Sequence, residues 1–263
     1  MARPKSYRTE ALVLKSLPLG EADLLVTLAT PHGGKLRAVA RGVRKPTSRM
    51  VGHLEPLTRL ELALARGRNL DIVTQVQMVE SFAALKADLE GTSRGLYLAE
   101  LVDGFSAEGV ASPGLYQTVL ETLRFLQDHP QEELALRHFE LRLLQASGFL
   151  PELHHCVECR SPVSGEGHRF TPEGGGLLCG RCTPANVLVL PLSALALEAL
   201  RFLVRETLPE LLRWSVPPPV AQEVQGLLRA VLRYVLEREV RSAAFLEHLR
   251  ERSGLLSILG GRR

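Results

Sequence analysis

The chain has 263 residues, 45% of them apolar and 23% charged, with a formal net charge of +3. Those values suit one large domain or two to three small ones around buried cores, and they exclude a mainly disordered protein. No apolar run approaches the ~18 residues of a membrane helix, and the opening Met-Ala-Arg-Pro-Lys-Ser-Tyr-Arg leads into no signal-peptide core, so a cytoplasmic protein without a membrane partner is expected.

The charge is unevenly spread. Residues 1–80 hold 13 Lys/Arg and 7 Asp/Glu, a net of +6, whereas residues 81–263 hold 19 and 22, a net of −3. A basic first part on a mildly acidic remainder points to a polyanion partner for the first part.

The first 80 residues read as five short strands: Thr9 to Leu17, Leu24 to Thr30, Lys35 to Ala40, Thr58 to Ala65 and Leu70 to Val79. The Pro31-His32-Gly33-Gly34 turn predicts a hairpin between the second and third. In the fourth, Leu60, Leu62 and Leu64 alternate with Arg59, Glu61 and Ala63, one face apolar and one polar. Five such strands with glycine turns suit a small closed barrel.

After Glu80 the apolar period changes from two to three and four. Helices are predicted over Phe82–Leu89, Thr92–Ser106, Pro113–Asp128 and Glu132–Ala146, with Ser112-Pro113 as a start signal and Gly148 as a stop. A Gly/Cys/Pro-rich insertion fills about 151–190. Helices resume from Pro191, the longest carrying the stripe from Val220 through Val224, Leu227, Leu228, Val231 and Leu232 to Val235 and Leu236. The expected domains are 1–80, a helical domain at 81–254, and a loose tail at 255–263. Arg229 and Arg233 lie one turn apart and could meet DNA, although Arg233 and Glu237 also make an ordinary i,i+4 pair.

All four cysteines fall in Cys156-Val-Glu-Cys159 and Cys179-Gly-Arg-Cys182, with nineteen residues between the pairs. A C-x2-C knuckle aims two sulfurs at one ion, and two knuckles complete a tetrahedron. Four thiolates leave no open position for water, so one structural zinc is expected rather than a catalytic one. Gly180 is expected to ease the second knuckle and Gly174-Gly175-Gly176 the hairpin before it. His154 and His155 are placed beside the site rather than in it, and Arg160 and Arg181 are candidates to offset its negative charge.

Between Leu24 and Leu54 there is no acidic residue, while Lys35, Arg37, Arg41, Arg44, Lys45 and Arg49 are all present. Lys35 and Arg37 alternate along one strand and so share a face. This run is the candidate DNA-binding surface. Residues 1–80 contain a single aromatic, Tyr7, so affinity is expected from phosphates rather than from base stacking. With four or five phosphates neutralised, log affinity should fall with log salt at a slope of roughly −4 on duplex. No phosphate-binding G-x-x-x-x-G-K-[ST] loop, no G-x-S-x-G elbow and no acid–base pair stands out.

Several segments together resemble the bacterial recombination mediator RecO family. They are Glu10-Ala-Leu-Val-Leu, the Gly20-Glu21-Ala22-Asp23 turn, the run Val39-Ala-Arg-Gly-Val-Arg-Lys-Pro-Thr-Ser-Arg, Leu54-Glu-Pro-Leu with Leu60-Glu-Leu, Arg137-His-Phe-Glu-Leu with Gly148, the cysteine block, and Val240-Arg-Ser-Ala-Ala-Phe-Leu. The resemblance implies an α+β multidomain fold: an N-terminal five-stranded OB-fold β-barrel, then an α-helical domain with an inserted four-cysteine zinc knuckle. It implies an architectural metal, since some family members lack the cysteines. It implies no enzyme, but a nucleoid-associated DNA repair protein that binds single- and double-stranded DNA and anneals complementary strands. With RecR, such a protein helps RecA replace single-strand binding protein. The acidic, Phe-ended tail of single-strand binding protein is a further implied partner, with Arg137, Phe139 and Leu141 as its expected pocket. The competing expectations are a zinc-containing nuclease, which would need clustered carboxylates beside the basic face, and a zinc-ribbon transcription or translation factor, which would gather its basic residues around the knuckles.

Overall fold

A computed structural model of the chain describes residues 5–46, 48, 50, 52–163, 167–246 and 249. The tail expected at 255–263 lies outside the described residues. The described residues form two compact units, one of residues within 5–130 with 240–246 and one of residues within 131–239.

The first unit opens with five strands: β1 (Ser6–Leu19), β2 (Asp23–Thr30), β3 (Gly34–Ala40), β4 (Arg59–Ala65) and β5 (Asp71–Glu80). They close into a barrel in the order β1-β2-β3-β5-β4, with only the β3–β5 pair parallel. The period-two pattern decides which side chains go inside. Leu60, Leu62 and Leu64 of β4 join Ala11, Val13, Val26, Leu28, Ala38, Ala40 and Val73 in one buried cluster. The β2–β3 hairpin forms where the glycine turn predicts it, and the Thr30 hydroxyl pins it by accepting from the Gly33 N–H and donating to the Gly34 carbonyl. A bulge between Val13 and Lys15 shifts the β1–β2 register. Around it Leu12, Val13 and Leu14 are all buried, because the helices of this unit pack on the outer side of β1.

The helix expected over Phe82–Leu89 is instead a short 3-10 turn at Leu85–Ala87. Asp88 explains the break. Its carboxylate accepts from the Gly91 N–H at 2.7 Å and caps a new helix, α1 (Leu89–Phe105), three residues ahead of the expected Thr92. Helix α2 (Pro113–Asp128) has the expected bounds, with Pro113 at its first turn. Residues 241–246, also helical, return to this unit. The Glu100 carboxylate of α1 accepts from the Arg241 and Ser242 N–H groups at 3.0 and 2.9 Å and from the Ser242 hydroxyl, capping that helix from outside.

The second unit holds α3 (Leu134–Ala146), a three-stranded sheet of β6 (His168–Thr171), β7 (Gly176–Leu178) and β8 (Leu190–Leu192) in the order β7-β6-β8, then α4 (Ala194–Arg205), the single turn α5 (Leu208–Leu211) and α6 (Pro218–Leu236). The α6 stripe from Val220 to Leu232 is buried as its spacing predicts. Glu237 ends that helix in a left-handed conformation, φ 52°, and Arg229 and Arg233 both reach Glu239. Among the described residues, no helix is long and apolar enough to cross a membrane.

Candidate functional sites

The knuckles come together from two directions. The segment carrying Cys156 hydrogen-bonds along the edge of β7: Glu152 N–H to the Gly175 carbonyl, Leu177 N–H to Glu152 and Val157 N–H to Leu177, at 2.8–3.0 Å. That approach leaves no room for a side chain at 176, where a Cβ would meet the Glu152 carbonyl at 2.7 Å. After Cys159 the chain reverses through Arg160, φ 61°, whose N–H donates to the Cys156 carbonyl at 2.9 Å. From the sequence, Gly180 is expected to ease the second knuckle. It lacks a positive φ, and a Cβ there would meet nothing within 4 Å, so no steric demand for glycine exists at that position.

The four sulfurs lie within 4.8 Å of one another, with Cys159 Sγ and Cys179 Sγ 3.7 Å apart. A tetrahedral ion bound at ~2.3 Å requires sulfurs about 3.8 Å apart, so the donor set fits a tetrahedral metal ion. Ser161, through its hydroxyl and N–H, holds the Cys159 thiol below its usual range, and the N–H groups of Arg181 and Cys182 do the same for Cys179. The thiol of Cys182 is pushed up by the sulfurs of Cys179 and Cys159. Four thiolates at one point repel, and a bound cation relieves that repulsion. His154 and His155 are exposed and outside the cluster. Arg169 of β6 binds the second knuckle: one of its nitrogens donates to the carbonyls of Cys179, Gly180 and Cys182 at 3.0, 3.3 and 2.8 Å.

The basic run divides in two. Lys35 and Arg37 share the outer face of β3 as expected, but both are paired. The Lys35 ammonium donates to the carbonyl and carboxylate of Asp103 at 2.6 and 3.1 Å, and Arg37 pairs with Glu108, Nε standing 2.7 Å from Oε1. Arg41, Arg44 and Lys45 lie on an exposed loop that docks on the β1–β2 turn: the Asp23 carboxylate accepts from the Gly42 N–H at 2.7 Å and the Ala22 carbonyl from the Arg44 N–H at 2.9 Å. Gly42 takes the left-handed φ, 63°, that this docking needs. Among the described residues no carboxylate pairs with these three cations. Arg49 lies outside the described residues. Tyr7, the lone aromatic of the barrel, has one ring face under the Arg66 guanidinium at 4.6 Å and its hydroxyl on Asp71.

Arg137, Phe139 and Leu141 do not form the open pocket expected of them. Phe139 and Leu141 are 0% and 1% exposed, and Arg137 is turned onto the fully buried Glu140 at 2.9 Å. Phe139 is two residues from both Arg137 and Leu141 and so cannot share their face, and this helix is buried on nearly every side.

The N-terminal model of recombination protein O matches residues 1–82, and the C-terminal model matches residues 86–244. This chain belongs to the RecO family. It is 42% identical over 249 residues to a DNA repair protein RecO of Roseiflexus sp., covering 95% of this chain and 88% of that one. With the RecO of Desulforudis audaxviator it shares 39% identity over 93% and 98% of the two chains, and with that of Dehalococcoides mccartyi 33% over 95% and 98%. RecO membership places the chain in DNA repair and recombination.

Three residues that shape these RecO sites escape sequence reasoning. Arg169 looks like any alternating strand cation until β6 places it under the second knuckle. Asp103 and Glu108 sit some seventy residues from their cations, so no spacing rule reaches them.

Proposed function

We propose that the chain is a binding protein and not an enzyme: a recombination mediator that holds single- and double-stranded DNA through phosphates and anneals complementary strands. With RecR, it helps load RecA onto DNA covered by single-strand binding protein, in the cytoplasm and on the nucleoid. The supporting observation is the exposed Arg41, Arg44 and Lys45 loop of a RecO-family barrel, with no carboxylate partner among the described residues and no free aromatic platform. Phosphates need fixed cations that approach closely and carry no base information. The acidic tail of single-strand binding protein remains a proposed partner. With Phe139 and Leu141 in the core, its apolar walls must come from other residues. We assign one structural zinc to Cys156, Cys159, Cys179 and Cys182. When bound it neutralises the thiolates and cross-links the two knuckles.

Lys35 and Arg37 are already paired, which leaves four of the six cations, Arg41, Arg44, Lys45 and Arg49, for the parent's phosphate contacts. The expected slope of log affinity on log salt is roughly −4 on duplex and −3 on single strands. The test is a salt titration of parent and Arg41→Ala, with annealing of labelled complementary strands measured without nucleotide or added metal. Annealing without cleavage and a slope shallower by about one in the variant are expected. Strand cleavage, a flat salt dependence, or an unchanged Arg41→Ala would overturn the reading.

A further inference from the structure

The connection between α1 and α2, residues 106–112, lies against the tip of the β2–β3 hairpin. The Lys35 N–H donates to the Ala107 carbonyl at 3.4 Å, and the Gly109 N–H donates to the Lys35 carbonyl at 3.2 Å. Gly34 permits this contact, since a Cβ there would stand 2.0 Å from the Val110 carbonyl. The backbone therefore delivers Glu108 to one place, the guanidinium of Arg37 on the outer face of the barrel.

The two cations of that face are held differently. Lys35 keeps 19% of its side-chain surface and is fixed by both a carbonyl and a carboxylate of Asp103, a built-in structural contact. Arg37 and Glu108 keep 49% and 55% of theirs, with Nε 2.7 Å from Oε1. An ion pair so exposed is weak and exchanges readily with another anion. A carboxylate and a phosphate offer a guanidinium the same thing, oxygens carrying negative charge in a plane it can fork. Arg41 follows four residues on, just past the end of β3, so at most about 13 Å along at the ordinary strand rise. A polyanion engaged by the 41–46 loop therefore runs within reach of Arg37.

We propose that Glu108 is an internal stand-in for a DNA phosphate, covering Arg37 in the free protein and limiting how many cations DNA can engage. The inference rests on the DNA-binding reading above. Glu108 is tethered, so it competes at a high effective concentration and keeps Arg37 from recruiting stray anions. Its cost is a lower affinity for all DNA sequences alike.

The experiment is a double-mutant cycle on the full-length protein: parent, Glu108→Gln, Arg37→Ala and the double variant. Affinity for duplex and single-stranded DNA is measured by fluorescence anisotropy across salt. Glu108→Gln should bind roughly three- to tenfold tighter at low salt, with a duplex slope steeper by about 0.9. Arg37→Ala alone should change affinity by about twofold or less, and in the double variant the gain from Glu108→Gln should vanish. That non-additivity separates an uncovered Arg37 from a mere change in net charge, which would persist without Arg37. Glu108→Ala is carried in parallel, with thermal melting to verify its fold. A parent that binds normally, with Glu108 variants no tighter or with the gain intact in the Arg37→Ala background, overturns this inference alone. A parent without salt-dependent binding overturns it together with the DNA-binding reading.

Discussion

A single guanidinium, that of Arg169, donates to three carbonyls of the second knuckle. Those carbonyls belong to the turn that aims Cys179 and Cys182. Arg169→Ala should therefore leave four thiolates able to bind metal but with less pre-arrangement. The expected outcome is a loss of about 10- to 100-fold in zinc affinity, measured by competition with a chromogenic chelator, with one zinc per chain still found in the parent. A different kind of residue-scale effect belongs to His138 of α3. Burial, reinforced by the Arg142 charge, lowers its pKa to about 4, whereas the unfolded chain takes up that proton near 6.5. The folded form thus binds fewer protons in that window. The stability involved is fully present above pH 6.5 and is lost as pH falls from there towards 4, on the order of 3 kcal/mol at most. Urea unfolding of parent and His138→Gln at several pH values should show this acid slope in the parent and its absence in the variant.

Between elements, a polar relay links α2 to the barrel. Arg59 of β4 forks the Glu10 carboxylate of β1 at 2.9 and 2.8 Å and stands 3.6 Å from Glu80 at the end of β5. From α2, the Tyr116 hydroxyl donates to Glu10 at 2.7 Å and Arg124 forks Glu80. Arg59 keeps the Glu10 carboxyl below the usual carboxylate range, with Tyr116 adding to it. Arg59→Met should raise the Glu10 pKa towards its ordinary value in an NMR titration and lower stability by about 1–2 kcal/mol, since the carboxylates are only partly buried. Such a relay cannot be read from the sequence. The alternation of Leu60, Leu62 and Leu64 with Arg59, Glu61 and Ala63 predicts which face of β4 is outside. It does not say which carboxylate 49 residues away Arg59 will meet. Strands, α2, the hairpin and the sulfur cluster are legible because each rests on local period or spacing. The pairing of Lys35 and Arg37 and the burial of Phe139 depend on where distant backbone comes to lie, whereas the break at Asp88 is a local cap that the apolar period alone does not show.

At the level of the whole chain, the change from strand to helix after Glu80 does not mark the edge of a compact unit. Helices α1 and α2 and residues 240–246 belong with the barrel, and the cysteine-bearing unit is set between them in sequence. Ending the chain after Glu239 would strip Glu100 of the two N–H groups and the hydroxyl it receives from Arg241 and Ser242. Hydrogen exchange of that truncated protein should quicken in α1 well before it changes in β6 and β7.

The same arrangement sets an order of completion during synthesis. The barrel leaves the ribosome first, yet the helix that Glu100 caps is made only after the 109 residues from Gln131 to Glu239. At roughly 5–20 residues per second, that interval is about 5–20 s. At its end the cysteine-bearing unit, continuous in sequence, is complete, while residues 240–246 have still to be added. The part of the protein that is begun first is thus the last to be finished.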